Sequence, residues 1–127
     1  MKALILAAGY GNRMRPFTDS THKTLLKIGN RTVIDRILDT LIVNDIEDIV
    51  MVTGYRASEL KSHLDRTKPN LNITYVHNEK YRQTNNIYSM ALAFEQMDLD
   101  DDLILIESDL VFHHAVLKRL LESKHPN

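Results

Sequence analysis

Four short apolar runs constrain this chain more than anything else in it: "KALILAA" (2–8), "DIVMVTG" (48–54), "NITYVHN" (72–78) and "DLILIES" (102–108). Their apolar residues are continuous rather than alternating, the pattern of strands buried on both faces in a helix-covered parallel sheet. Helical periodicity fills the intervals. "TVIDRILDTLIVN" (32–44) places Ile34, Ile37, Leu38, Leu41 and Ile42 on one apolar stripe. "ASELKSHLDRT" (57–67) turns Leu60 and Leu64 inward, with Ser58 as its expected N-cap. "NIYSMALAFEQM" (86–97) follows Asn85, a second expected cap, and "HAVLKRLLES" (114–123) closes the chain. Strand and helix in alternation predict the α/β class, built of parallel βαβ units with right-handed crossovers. Such sheets bind ligands beyond the carboxyl ends of their strands, near the topological switch point. The polar loops after Ala8 and Ser108 are therefore expected on one edge.

The chain of 127 residues reads as a single domain, 1–127, long enough to bury a core. Lysine and arginine total 16 against 17 aspartates and glutamates, so no basic excess exists to hold nucleic acid. Any phosphate affinity must be local. The lack of cysteine excludes disulfides, zinc–thiolate sites and thiol catalysis, and it fits a cytoplasmic protein. The opening apolar run, Ala3 to Ala8, spans six residues, below the roughly 7–15 of a secretory signal core. No stretch approaches the roughly 20 apolar residues that cross a bilayer, so no membrane partner is expected. The acidic run Asp98, Asp100, Asp101 and Asp102 reads as a solvated turn from helix to strand. The chain stops at "ESKHPN" with four strands to pair, a small sheet for the class, and is read as truncated.

Two motifs carry chemistry. In "GYGNR" (9–13), glycines at a strand end let backbone N–H groups approach a phosphate that a Cβ would obstruct. The third glycine of the dinucleotide fingerprint is missing, with Arg13 in that region, and no "GK[ST]" makes it a P-loop. A tight turn with exposed arginines is the bland alternative. Lys23, ten residues beyond Arg13, shifts the balance. Arginine forks across two phosphate oxygens and lysine delivers a compact charge, so together they suit a triphosphate tail. Arg15, just before Pro16, reads as loop-shaping. The second motif is "IESDLVF" (106–112), where Glu107 and Asp109 share a face if the strand continues. Carboxylates at a strand end suit Mg²⁺, which takes one or two of them plus substrate phosphates; the alternative is an ordinary polar turn. The histidines are weaker: adjacent His113 and His114 would point about 100° apart on a helix, His63 sits on a helix, and His125 lies near the C-terminus.

Together these residues carry a family resemblance. "LAAGYGNRMRPFTDSTHKTLLKI" resembles the signature of the nucleotidyltransferases that activate sugar phosphates and related alcohol phosphates. In most sugar-phosphate members proline precedes the lysine; here it is His22. "STHK", "VTGY" (52–55), "HNEKYRQTNNIYS" (77–89) and "ESDLVF" are most similar to bacterial CTP:phosphocholine cytidylyltransferases. The resemblance implies a Rossmann-like three-layer α/β/α fold with a mainly parallel sheet, and a role in cell-surface polysaccharide biosynthesis. It implies that backbone around Leu6, Ala7, Ala8 and Gly9 meets base and ribose, and that Gly11 and Arg13 hold the β- and γ-phosphates. Lys23 would stabilise charge at the α-phosphorus, and Asp109 would bind Mg²⁺. Asn78 falls near the position that reads the base edge, with Asn86 as a further candidate. The expected ligands are CTP or another nucleoside triphosphate and a small phosphate-bearing acceptor.

Family members run to nearly twice this length, and their second half supplies another metal carboxylate and most of the acceptor pocket. A choline pocket needs an aromatic cage, yet this chain has no tryptophan and five tyrosines. Within the class, a 2-aminoethylphosphonate cytidylyltransferase and a sugar-1-phosphate nucleotidyltransferase are the alternatives. A non-catalytic nucleotide-binding or assembly module, forming a homo-oligomer through an exposed sheet edge, is the alternative from another class.

Overall fold

The computed structural model of the protein describes residues 1–9, 21–98, 101–107 and 119–122. Its centre is a parallel sheet of four strands: β1 (Lys2–Ala7), β4 (Asp48–Thr53), β5 (Asn72–His77) and β6 (Leu103–Glu107). Their order across the sheet is β5-β4-β1-β6. A small antiparallel ribbon, β2 (Lys27–Ile28) and β3 (Arg31–Thr32), precedes the first helix. Helix α1 spans Val33–Val43, α2 Ala57–Thr67 and α3 Asn86–Gln96.

Strand polarity explains why β1 and β4 read as unbroken apolar runs. Alternate residues of β1 point to opposite faces. Ala3, Ile5 and Ala7 join Ile49 and Met51 of β4 in a core with Ile34, Ile37, Leu38 and Leu41 of α1 and Leu60 and Leu64 of α2. Leu4, Leu6 and Ala8 join Val50 and Val52 in a second core with Val76 and Ala93. Met90 and Phe94 of α3 pack against it. Thus α1 and α2 cover one face and α3 the other, giving three layers. The placement follows from chain direction: β1 to β4 to β5 steps one way across the sheet, and β5 to β6 returns past β1. A crossover of constant right hand that reverses direction must place its helix on the opposite face. The reversal puts the switch point between β1 and β6.

The outer strands differ from the expectation of full burial. In β5 the residues alternate in exposure up to Val76, and in β6 Leu105 is 43% exposed while Ile104 and Ile106 are buried. Both strands end the sheet order, so fewer neighbours cover them.

Capping decides where the helices begin. Thr32 precedes α1 and its hydroxyl accepts a hydrogen bond from the Asp35 N–H at 3.2 Å. Asn85 caps α3 as expected, accepting from the Tyr88 N–H at 3.3 Å. Helix α2 departs from expectation. Ser58 lies inside the helix, and the cap position is Arg56, in the left-handed region at φ 50° with no side-chain cap bond. The Gly54 carbonyl accepts from the Ala57 N–H at 3.2 Å, so the chain turns from β4 into α2 too sharply for Ser58 to stand outside it. The closing helix read at 114–123 falls largely outside the described residues. In the acidic turn, Asp101 pairs with the terminal amine of Met1 at 2.6 Å, and the Asp102 carbonyl accepts from the Lys2 N–H at 2.9 Å.

Candidate nucleotide-binding edge

The carboxyl ends of the four strands are stitched into one rim. The Tyr55 N–H donates to the Ala8 carbonyl at 3.1 Å, joining the ends of β1 and β4. The Asn78 N–H donates to the Thr53 carbonyl at 2.7 Å, joining β4 and β5. Glu107 ends β6 in register with Leu6 of β1. Gly54 sits where this stitching is tightest. A Cβ there would lie 2.7 Å from the Tyr81 Cβ and 2.8 Å from the Ala8 carbonyl oxygen. No side chain fits without moving one of them.

Lys23 comes to the same rim. It opens a short 3-10 turn, Lys23–Leu25, and a methyl built on Gly9 would lie 3.7 Å from its Nζ. Lys23 therefore lies at the end of β1, beside Gly9. The turn is anchored by His22, whose side chain is fully buried. Its Nε2 lies 2.8 Å from the Ala7 carbonyl oxygen. Its Nδ1 accepts from the Thr24 N–H at 3.1 Å and lies 2.8 Å from the Thr24 hydroxyl. A carbonyl only accepts and an amide N–H only donates, so the imidazole is neutral with its hydrogen on Nε2. Burial lowers its pKa from the ordinary 6.5; the Ala7 bond opposes that, Lys23 reinforces it and Glu59 opposes it. The Glu59 carboxylate accepts from the His22 N–H at 3.1 Å and pairs with Arg56 at 3.1 Å.

Asn78 is 1% exposed and engaged by its own chain. Its amide donates to the Thr84 hydroxyl at 3.0 Å and the Ser89 hydroxyl at 3.2 Å, while its carbonyl accepts from the Lys80 N–H at 2.9 Å. Both of its N–H donors are committed, while its carbonyl oxygen, with one partner, keeps a second lone pair. As folded, the residue braces the loop between β5 and α3. Asn86 opens α3 and donates to the Glu107 carboxylate at 3.0 Å, linking the helix start to β6. Leu6, Ala7 and Ala8 are buried and Gly9 is partly exposed. Of the expected site residues, Gly11, Arg13 and Asp109 lie outside the described residues, as does the loop-shaping Arg15.

Among the described residues, no group of three or more histidines or carboxylates could by itself hold a metal ion. The donor chemistry still fits Mg²⁺, because Glu107 presents an exposed carboxylate at the rim and that ion completes its shell with waters and phosphate oxygens. Sequence reasoning missed His22 and Gly54. For His22 the one local signal was an imidazole between threonines beside the lysine; for Gly54, a glycine directly after a buried strand.

A parallel sheet with helices on both faces, and a glycine, a lysine and a carboxylate at its switch-point rim, define a Rossmann-like α/β fold. The nucleotidyl transferase family model matches residues 2–126, and the chain belongs to that family. It is 40% identical to a choline-phosphate cytidylyltransferase of Haemophilus influenzae over 116 residues, covering 91% of this chain and 47% of the relative. It is 38% identical to a choline-phosphate cytidylyltransferase of Streptococcus pneumoniae over 97 residues, covering 76% of this chain and 41% of the relative. Among solved structures, it resembles the CTP:phosphocholine cytidylyltransferase from Streptococcus pneumoniae with a TM-score of 0.71 and 35% identity, covering 85% of this chain and 44% of that one. The chain thus spans about half the length of the curated relatives it matches. Among the described residues, no helix is long and apolar enough to cross a membrane.

Proposed function

We propose that this chain is the nucleotide-binding part of a cytidylyltransferase that transfers CMP from CTP to a small phosphate acceptor such as phosphocholine, releasing pyrophosphate. The carrying observation is the Lys23 ammonium set beside Gly9 at the end of β1, next to the switch point. The half-length match to choline-phosphate cytidylyltransferases supports the choice of nucleotide and acceptor. In this reading a phosphate oxygen of the acceptor attacks the α-phosphorus in line. The bond from that phosphorus to the bridging oxygen breaks, and pyrophosphate leaves with the electron pair. Positioning and electrostatics suffice, with no covalent enzyme intermediate. Gly11 and Arg13 hold the β- and γ-phosphates, and Lys23 neutralises charge at the reacting phosphorus. Backbone from Leu6 to Gly9 meets base and ribose, beside the loop that Asn78 braces. Asp109, with Glu107 near it, would hold Mg²⁺, which when bound supplies positive charge to the triphosphate.

Calorimetry with CTP, UTP, dTTP and ATP, each in Mg²⁺ and in EDTA, tests the reading. CTP with Mg²⁺ should bind tightest. Equal affinity for all four nucleotides refutes cytosine selection, and no binding to any refutes the site. Because relatives extend well beyond this segment, phosphocholine turnover by the 127-residue chain should be very poor. Pyrophosphate release at an ordinary rate, about 1–10³ s⁻¹, would show instead that the segment is catalytically sufficient.

A further inference from the structure

We propose that His22 is a positioning residue whose neutral imidazole latches the Lys23 turn to the end of β1 and so sets the lysine for the triphosphate. The inference rests on the reading of Lys23 just given and extends it to a residue that touches no ligand in that reading. Lys23 sits on a turn of three residues, which has too few internal hydrogen bonds to hold a long side chain in place. Rigidity must come from outside the turn. His22 supplies it from both ring nitrogens: Nε2 donates to Ala7 on the strand, and Nδ1 accepts from Thr24 inside the turn. A third tie runs from the His22 N–H to Glu59 on α2. The lysine is thereby referenced to the backbone that borders Gly9 and to one helix behind it.

The chemistry of the latch requires an uncharged ring. Protonation would place a hydrogen on Nδ1 facing the Thr24 N–H. The Thr24 hydroxyl, 2.8 Å away, can turn to accept it; the amide cannot. Among the described residues, two charged groups act on the ring: Lys23 disfavours its protonation and Glu59 favours it. Burial is the larger influence, and with it the folded ring stays below 6.5. Since the unfolded chain then binds the proton more readily, His22's contribution to stability is complete above pH 6.5 and falls away as pH drops below that value.

Side-chain geometry separates the two ends of the latch. His22→Gln keeps a donor near the Nε2 position and His22→Asn an acceptor near Nδ1, and neither titrates. Each should weaken CTP binding by the 127-residue chain, with Mg²⁺ present, by about 10–100-fold, the loss expected when the displaced Lys23 ammonium no longer makes its bond to a phosphate. Combined with Lys23→Ala, each should cost nothing further, because the histidine acts through the lysine. On the wild-type protein, ¹⁵N NMR of the imidazole should show the neutral ring protonated on Nε2. Equal losses with and without Lys23, no loss from either His22 variant, or a ring protonated on Nδ1 would each overturn the latch. A Lys23→Ala protein that binds CTP like wild type would overturn the triphosphate reading and the latch with it, an outcome visible in that single variant.

Discussion

Gly54→Ala puts the packing of the rim to a quantitative test. The new methyl would meet three atoms inside 3.0 Å: the Tyr81 Cβ at 2.7 Å, the Ala8 oxygen at 2.8 Å and the Tyr81 Cγ at 2.9 Å. Neither neighbour yields easily. The Ala8 carbonyl belongs to the end of the central strand and is tied to the Tyr55 N–H, and the Tyr81 Cβ is fixed to its backbone. Overpacking of this kind costs about 1–3 kcal/mol, and three close contacts place it in the upper half of that range. Replacing glycine also stiffens the unfolded chain, returning about 0.4–1 kcal/mol. The net loss is then about 1–2.6 kcal/mol. With an unfolding entropy of about 2.1 cal/mol/K per residue, the 127-residue chain should melt about 4–10 °C lower. Circular dichroism melts at pH 7 measure this directly. Adding Tyr81→Ala should not restore the melt, because alanine keeps the Cβ at the closest contact. A Gly54→Ala protein that melts within about 1 °C of wild type would refute the argument.

Lys23→Ala should cost roughly 3–4 kcal/mol of transition-state stabilisation in whatever transfer the protein supports, by analogy with loss of one oxyanion donor, while its melt barely moves. A large fall in Tm would make the lysine structural. Asp35 links α1 to α2 through His63 at 2.8 Å and Thr67 at 3.0 Å. Burial alone would raise its carboxyl, but hydrogen bonds from His63, Thr32 and Thr67 together hold it below the usual 3.8. The stability it adds is therefore present above pH 3.8 and lost as pH falls through the lower folded value. Asp35→Asn should flatten the acid limb of Tm against pH, and an unchanged limb would refute the network's role. Asn78→Ala strands the Lys80 N–H and should destabilise by about 1–3 kcal/mol, read as a lower urea midpoint with m unchanged; a midpoint equal to wild type would show the brace to be idle.

The sequence alone determined the elements and their class. Runs such as "KALILAA" and "DIVMVTG" have no polar face, so they fit strands covered on both sides, and β1 and β4 are buried at every residue after the first. The read bounds of α2, 57–67, match its observed span, because its inward leucines and its flanking turns are local signals. Asn85 was legible as a cap because capping joins residues three apart. Lys23 was a candidate before any geometry was known, because a lysine ten residues from Arg13 in a polar loop suits a triphosphate tail.

Tertiary structure decided what depends on neighbours distant in the chain. Strand order is not written in any one strand, so the partial exposure of β5 and β6 followed from their places at the ends of the sheet. The abrupt path from β4 into α2 moved the cap from Ser58 to the left-handed Arg56. Asn78 was expected near the base edge; the fold turns the loop between β5 and α3 back onto both its N–H groups and its carbonyl. His22 meets Ala7 across fifteen residues and Glu59 across thirty-seven. No local pattern carries those pairings, because they arise only when the sheet edge closes and leaves the imidazole without water, obliged to satisfy both nitrogens from the chain itself.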